Sequence, residues 1–173
     1  MRRRPLLAGA AALGLALAAA GCGFQMRGTA ALPFDTLYTN FAPNSSLGAD
    51  FRRMIRYSSG TRLVDSPADA QARLTVLREI REKETVGFSG AGRPREYQLR
   101  LRFGFALLDA QGNALIPATE LLLRRELTTS DTQLVAKEQE EAIMYREMQN
   151  DLVQQLLRRL AAAPAAAAPD PAR

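Results

Sequence analysis

Residues 96 to 108 read EYQLRLRFGFALL and alternate almost without fault. Tyr97, Leu99, Leu101, Phe103, Phe105 and Leu107 fall on one side, with Gln98, Arg100, Arg102, Gly104 and Ala106 on the other. A helix would scatter those apolar side chains around its axis, whereas a strand gathers them on one face. So one-sided a strand belongs to a sheet that is covered on one face and open on the other. The rest of the chain must supply the cover.

Two segments can do so. Leu47, Phe51, Met54 and Ile55 recur at helical spacing behind Asn44 and Ser45, either of which can cap a helix, and Ser58-Ser59-Gly60 ends it. Near the C-terminus, Ile143, Met144, Met148, Leu152, Leu156 and Leu160 form the stripe of a long helix, widened by Val153 and Leu157. It begins between Asp131 and Ala136, and Lys137 and Glu141 form an i,i+4 pair within it, contributing about 0.3 kcal/mol.

Further strands are predicted over 35–41 (DTLYTNF), where Leu37, Thr39 and Phe41 share a face, and over 61–65 (TRLVD). In 72–80 (ARLTVLREI), Leu74, Val76 and in part Ile80 keep step. The stretch from Arg81 to Arg95 is charged and then glycine-rich, which reads as a frayed strand end and a long hairpin loop. A turn at Asp109–Asn113 leads to a return strand from about Ala114 to Thr128, with Pro117 marking a bulge or an edge. The economical assembly is an α+β two-layer sandwich: an about four-stranded mixed or antiparallel sheet with two helices packed on one face.

Ahead of this domain, Arg2-Arg3-Arg4 precedes a run of Leu, Ala and Gly over residues 6 to 20, too short for a transmembrane helix of ~20 residues. A basic start, an apolar stretch and small residues at the cut describe a signal peptide over residues 1–21. The single cysteine, Cys22, follows at once, and Ala20-Gly21-Cys22 resembles the lipobox of bacterial lipoproteins, although Ala19 stands where that pattern prefers leucine. The resemblance implies diacylglycerol on the Cys22 sulfur and an N-acyl chain on its amine. With several chains buried at ~0.8 kcal/mol per CH₂, anchoring is firm. Gly23 and Phe24, rather than Asp, follow the cysteine, and by the sorting rule of enterobacterial lipoproteins this implies the outer membrane, facing the periplasm. The alternative is a plain signal peptide with a free thiol. Residues 22–34 read as a lipidated tether, 35–160 as the folded domain, and 161–173 as a disordered Ala/Pro-rich tail.

Composition narrows the chemistry. Removing Arg2, Arg3 and Arg4 leaves 20 basic against 18 acidic side chains, so the formal charge falls from +5 to +2 and gives no case for nucleic acid. There is no histidine, and lipidation occupies the one cysteine, so His/Cys metal sites and Ser-His or Cys-His nucleophile pairs are excluded. Glu79, Glu82 and Glu84 are the acids a carboxylate-based hydrolase would need; solvated charge is the plainer reading. No cofactor beyond the lipid on Cys22 is expected.

In order and spacing, the lipobox with GCGFQMRG, then REYQLRLRFGFALLD with its glycine-containing turn, then LVAKEQEEAIMYREMQNDLVQQLLRRL resemble the LptE family of LPS-assembly lipoproteins. The resemblance runs from the signal peptide to about Leu160 and implies two helices on a mostly four-stranded sheet. It also implies a non-catalytic protein that plugs the LptD β-barrel in a 1:1 complex and binds lipopolysaccharide during outer-membrane assembly. It places Lys137, in AKEQE, at a basic position the family uses against lipid. In the hairpin loop, where the family often has another basic residue, the aligned position is near Gly90, and Arg93 and Arg95 a few residues on stand in for it. Arg100 and Arg102, on the uncovered strand face, suit contact with a barrel wall or lipid, or simple solvation. An unrelated outer-membrane lipoprotein with a small binding domain, or the hydrolase above, are the competing readings.

Overall fold

The computed structural model describes residues 31–58, 60–128 and 134–165. The proposed signal peptide, Cys22 and the last part of the Ala/Pro-rich segment lie outside the described residues. In chain order the elements are β1 (Thr36–Thr39), α1 (Ser46–Ser58), β2 (Arg62–Val64), a 3₁₀ turn (Pro67–Asp69), β3 (Ala72–Phe88), β4 (Pro94–Asp109), β5 (Ala114–Thr128) and α2 (Leu134–Ala161). They form one sheet in the order β2-β1-β3-β4-β5, with β1 parallel to both of its neighbours and β3, β4 and β5 antiparallel. The fold is therefore the expected α+β sandwich, with five strands rather than about four because the short TRLVD segment joins the edge.

One core unites the layers. Leu99, Leu101, Phe103, Phe105 and Leu107 of β4 are buried together with Leu37, Leu74, Leu121 and Leu127 from the other strands. Phe51 and Ile55 of α1 and Met148, Leu152, Leu156 and Leu160 of α2 close it from above. The Phe41 ring lies 5.4 Å from Phe51 and 5.6 Å from Phe103, which in turn stacks on Phe105 at 5.9 Å. Both helices thus cover the same sheet face, and β4 is an interior strand, paired along both of its edges.

Local chemistry sets the element ends. Of the two possible caps, Ser45 starts α1: its Oγ accepts the Gly48 N–H at 2.8 Å, satisfying one of the first orphan amides. Gly48 itself sits hard against Phe41, where a Cβ would lie 2.7 Å from that residue's own Cβ. Gly48→Ala should therefore destabilise the domain: a clash of this kind costs ~1–3 kcal/mol, more than the gain in helix propensity of up to ~1 kcal/mol. A raised midpoint in thermal unfolding would show instead that Phe41 yields freely. At the β4–β5 turn, Asp109 accepts from the Gln111 and Asn113 amides and from the Asn113 side chain. The Asn113 side chain is the main cause that holds its carboxyl below the ordinary aspartate value. Gly112 turns the chain there with φ of 93°. Pro117 lies on the edge strand β5, beside a register shift against β4.

Four sequence expectations are corrected. The stretch from Arg81 to Arg95 is mostly strand, and the hairpin narrows to a tight tip in which Ser89 and Arg93 are joined backbone to backbone at 2.8 Å. Gly92, at φ 72°, supplies the left-handed residue of that tip. Ile80 faces away from the helices and is exposed, because a bulge between Val76 and Arg78 shifts the phase of β3. Ile143 is half exposed, outside the α2 stripe that meets the core. Lys137 pairs with Glu140 rather than Glu141, which is taken instead by Lys83 of β3.

Candidate functional site

The bulge at Leu77 decides where the polar chemistry goes. Before it, Ala72, Leu74 and Val76 face the helices; after it, the inward positions are Glu79, Arg81 and Lys83, opposite Phe103, Leu101 and Leu99 of β4. A row of charges is thereby brought to the helix side of the sheet, at the edge of the covered area, with Glu79 half-buried and Arg81 and Lys83 still exposed. The first turn of α1 and the first two-thirds of α2 supply their partners. Ser45 Oγ donates to Glu79 at 2.7 Å, and the Arg81 guanidinium donates to Ser46 Oγ at 2.8 Å and also to the Gln149 carbonyl. Gln149 is itself buried and donates its amide to Asp50. Lys83 reaches Glu141 at 2.6 Å and lies 4.4 Å from the Tyr97 ring centre.

These groups do not fill the space between the elements. A cleft of about 830 Å³ remains, bounded by Ser46 and Asp50 on α1, Arg81 and Lys83 on β3, and the Glu138–Gln149 face of α2. Tyr145 stands in its wall, with its hydroxyl donating to the Glu82 carbonyl at 2.7 Å and Arg81 over its ring at 5.7 Å. Burial, and then the nearby Glu141 carboxylate, raise its phenol above the ordinary tyrosine value. The phenol therefore stays protonated near neutral pH and acts as a donor, not a base.

The opposite sheet face is open. Arg100 is bound to Glu84 at 2.6 Å and donates to Gln98 at 2.7 Å. The Nε of Arg102 stands 3.3 Å from Glu82, without a hydrogen bond of good geometry. Ile80, Arg102 and Leu122 are register partners across three strands, so exposed aliphatic side chains flank that guanidinium. Glu79 is on the helix-covered face while Glu82 and Glu84 pair with arginines on the other. The sheet thus separates Glu79 from the two acids with which a hydrolase would pair it.

The remaining expected site residues sit toward the end of the domain where the β3–β4 hairpin projects. Lys137 is half-buried in the first turns of α2, with its ammonium 2.6 Å from Glu140. Arg93 and Arg95 lie in and beside the hairpin tip, where Val86 and Phe88 expose apolar surface. Sequence reasoning missed the cleft residues Arg81, Lys83, Tyr145, Arg146 and Gln149. Charges at alternate positions 79, 81 and 83 were the available signal, obscured because the apolar phase before the bulge points the other way. Among the described residues, no His/Cys/Asp/Glu cluster could hold a metal ion, and no helix is long and apolar enough to cross a membrane.

Comparison with known proteins gives this architecture a class. The solution structure of an uncharacterised lipoprotein B from Nitrosomonas europaea is similar with a TM-score of 0.71 and 35% identity, over 81% of this chain and 91% of that one. The rare lipoprotein B from Shewanella oneidensis shares the fold at a TM-score of 0.64 and 20% identity, over 73% of this chain and 94% of that one. The two-layer sandwich is thus a fold shared with bacterial lipoproteins. The LPS-assembly lipoprotein LptE of Yersinia enterocolitica is 32% identical over 159 residues, 86% of this chain and 72% of the relative. The LptE of Photorhabdus laumondii is 29% identical over 152 residues, 86% of this chain and 82% of the relative. The model of the LptE lipopolysaccharide-assembly family matches residues 34–160, and the chain belongs to that family.

Proposed function

We propose that this protein is an outer-membrane lipoprotein, held on the periplasmic face by acylated Cys22, that plugs the LptD β-barrel as a 1:1 partner. It binds lipopolysaccharide while that molecule passes to the outer leaflet and performs no catalysis of its own. The observation that carries this reading is the family match over residues 34–160. Two features of the surface fit it. A plug in a large barrel meets a wet, polar lumen, and the open sheet face offers Arg100 and Arg102 within a lattice of ion pairs. A phosphorylated lipid calls for fixed cations beside apolar surface, which the hairpin tip combines in Arg93, Arg95 and exposed Phe88.

Affinity purification of the tagged protein from solubilised outer membranes should bring down one large β-barrel per copy. Recovery solely as a free monomer would sink the plug assignment. For the lipid contact, Lys137→Asp should weaken lipopolysaccharide binding by about tenfold or more, the equivalent of losing one charge-assisted hydrogen bond of ~1.5–3 kcal/mol. The barrel complex should persist, and unchanged lipid affinity would remove Lys137 from the site.

A further inference from the structure

We infer that the cleft between α1, β3 and α2 is a saccharide subsite that receives the acidic sugars of a lipopolysaccharide core. The sugar source rests on the function proposed above; the saccharide chemistry rests on the cleft.

The cleft is not a packing defect. Its volume of about 830 Å³ falls in the upper part of the ~300–1,000 Å³ range of ligand clefts. Nor is it sealed, since Arg81, Lys83, Glu138 and Arg146 are exposed and its charges lie within reach of a ligand. What the cleft gains is a fixed set of donors and acceptors. Arg81 is tied to Ser46 and Gln149, Gln149 to Asp50, and Tyr145 to the β3 backbone. A wall ordered in advance spares a ligand the entropy of ordering it.

Charge then selects the ligand. The lining carries three cations, Arg81, Lys83 and Arg146, and three carboxylates, Asp50, Glu138 and Glu141. Glu141 is occupied by Lys83, and Asp50 by Arg53 and Gln149. Glu138 and Arg146 are exposed and have no ion-pair partner among the described residues. Eight positions apart, they lie on one face of α2, with Ala142 between them as a small residue that leaves the entrance open. Sugar hydroxyls both donate and accept, so they satisfy a wall that mixes carboxylate, amide and guanidinium. A carboxylate or phosphate on the sugar adds a two-point contact to Arg146. An acyl chain in the same place would strand those polar groups without water, which assigns the cleft to the saccharide part of a glycolipid rather than to its tails.

The test uses the full acylated protein in detergent, with binding followed by calorimetry and by amide chemical shifts. The probes are fully deacylated lipopolysaccharide, intact lipopolysaccharide, inorganic phosphate and a cell-wall disaccharide bearing a lactyl carboxylate. Deacylated lipopolysaccharide is expected to shift the amides of Arg81, Lys83 and Tyr145. Arg146→Glu or Ala142→Trp should lower its affinity about tenfold without moving the unfolding midpoint, and Arg146→Lys should restore part of the loss. Absence of cleft shifts, or equal affinity in both variants, overturns the proposal; if intact lipopolysaccharide still binds, the function proposed above survives. If neither form of lipopolysaccharide binds, both fall. Phosphate alone binding as tightly at the cleft would overturn recognition of a saccharide, and tighter binding of the cell-wall disaccharide would overturn the assigned source.

Discussion

Truncating Phe103 to alanine is expected to lower the unfolding free energy by ~3–5 kcal/mol. The residue is fully buried, its ring stacks on Phe41 and Phe105, and its strand is hydrogen-bonded along both edges. Those two ladders decide the magnitude. A side chain on a peripheral helix leaves a hole into which the helix can settle, whereas β4 cannot move inward without breaking pairs with β3 or β5. The cavity therefore stays open, and the transfer and cavity costs add. Urea denaturation followed by circular dichroism measures the change. Leu122→Ala is the internal comparison, because Leu122 lies on the open face of the next strand and its truncation should cost well under 1 kcal/mol. Equal losses in the two variants would mean that the open face is covered in the state measured.

Replacing Cys22 by serine should release from the membrane every copy that is not held in the barrel. The expectation follows from the carbon count of the anchor. A single acyl chain binds a bilayer only marginally, with an association constant of ~10⁴ M⁻¹, and stable attachment needs about two chains. On the proposed reading the Cys22 sulfur carries the diacylglycerol, so the serine variant would lack it. In cell fractions the copies of the serine variant outside the barrel complex should move to the soluble periplasmic pool, and palmitate labelling should vanish from the variant while persisting in the parent. The domain should still fold, since the described core begins at Phe34 and the family match begins at the same residue. Retention of the serine variant in washed membranes would place the attachment in protein contacts instead, as a tightly held plug could provide.

Legibility followed the strength of the periodic signal. β4 was readable because six apolar residues in strict alternation outweigh its arginines, and all five from Leu99 to Leu107 are buried. The α2 stripe was readable from Met148 onward, while Ile143 fell outside the surface that meets the core. The length of β3 was not readable. Its distal half is charged and ends in glycines, so local propensity spoke for a loop; pairing with β4 out to Phe88 and Pro94 overrode it. Of the expected site residues, Lys137, Arg93 and Arg95 came from resemblance and Arg100 and Arg102 from strand phase. Nothing local singled out Tyr145 or Gln149.

By itself the sequence determined the two layers, because apolar residues at periods of 2 and 3.6 leave a one-sided sheet and two striped helices no other way to exclude water. Only the tertiary structure decided which face the charges of β3 would take. A single bulged residue, Leu77, reverses the side chains from Arg78 to Thr85, and a bulge arises from pairing with β4, not from the composition of β3. That reversal set Arg81 and Lys83 on the helix side of the sheet, turned Ile80 outward, and lined the cleft with cations where continuous alternation would have placed Ile80, Glu82 and Glu84.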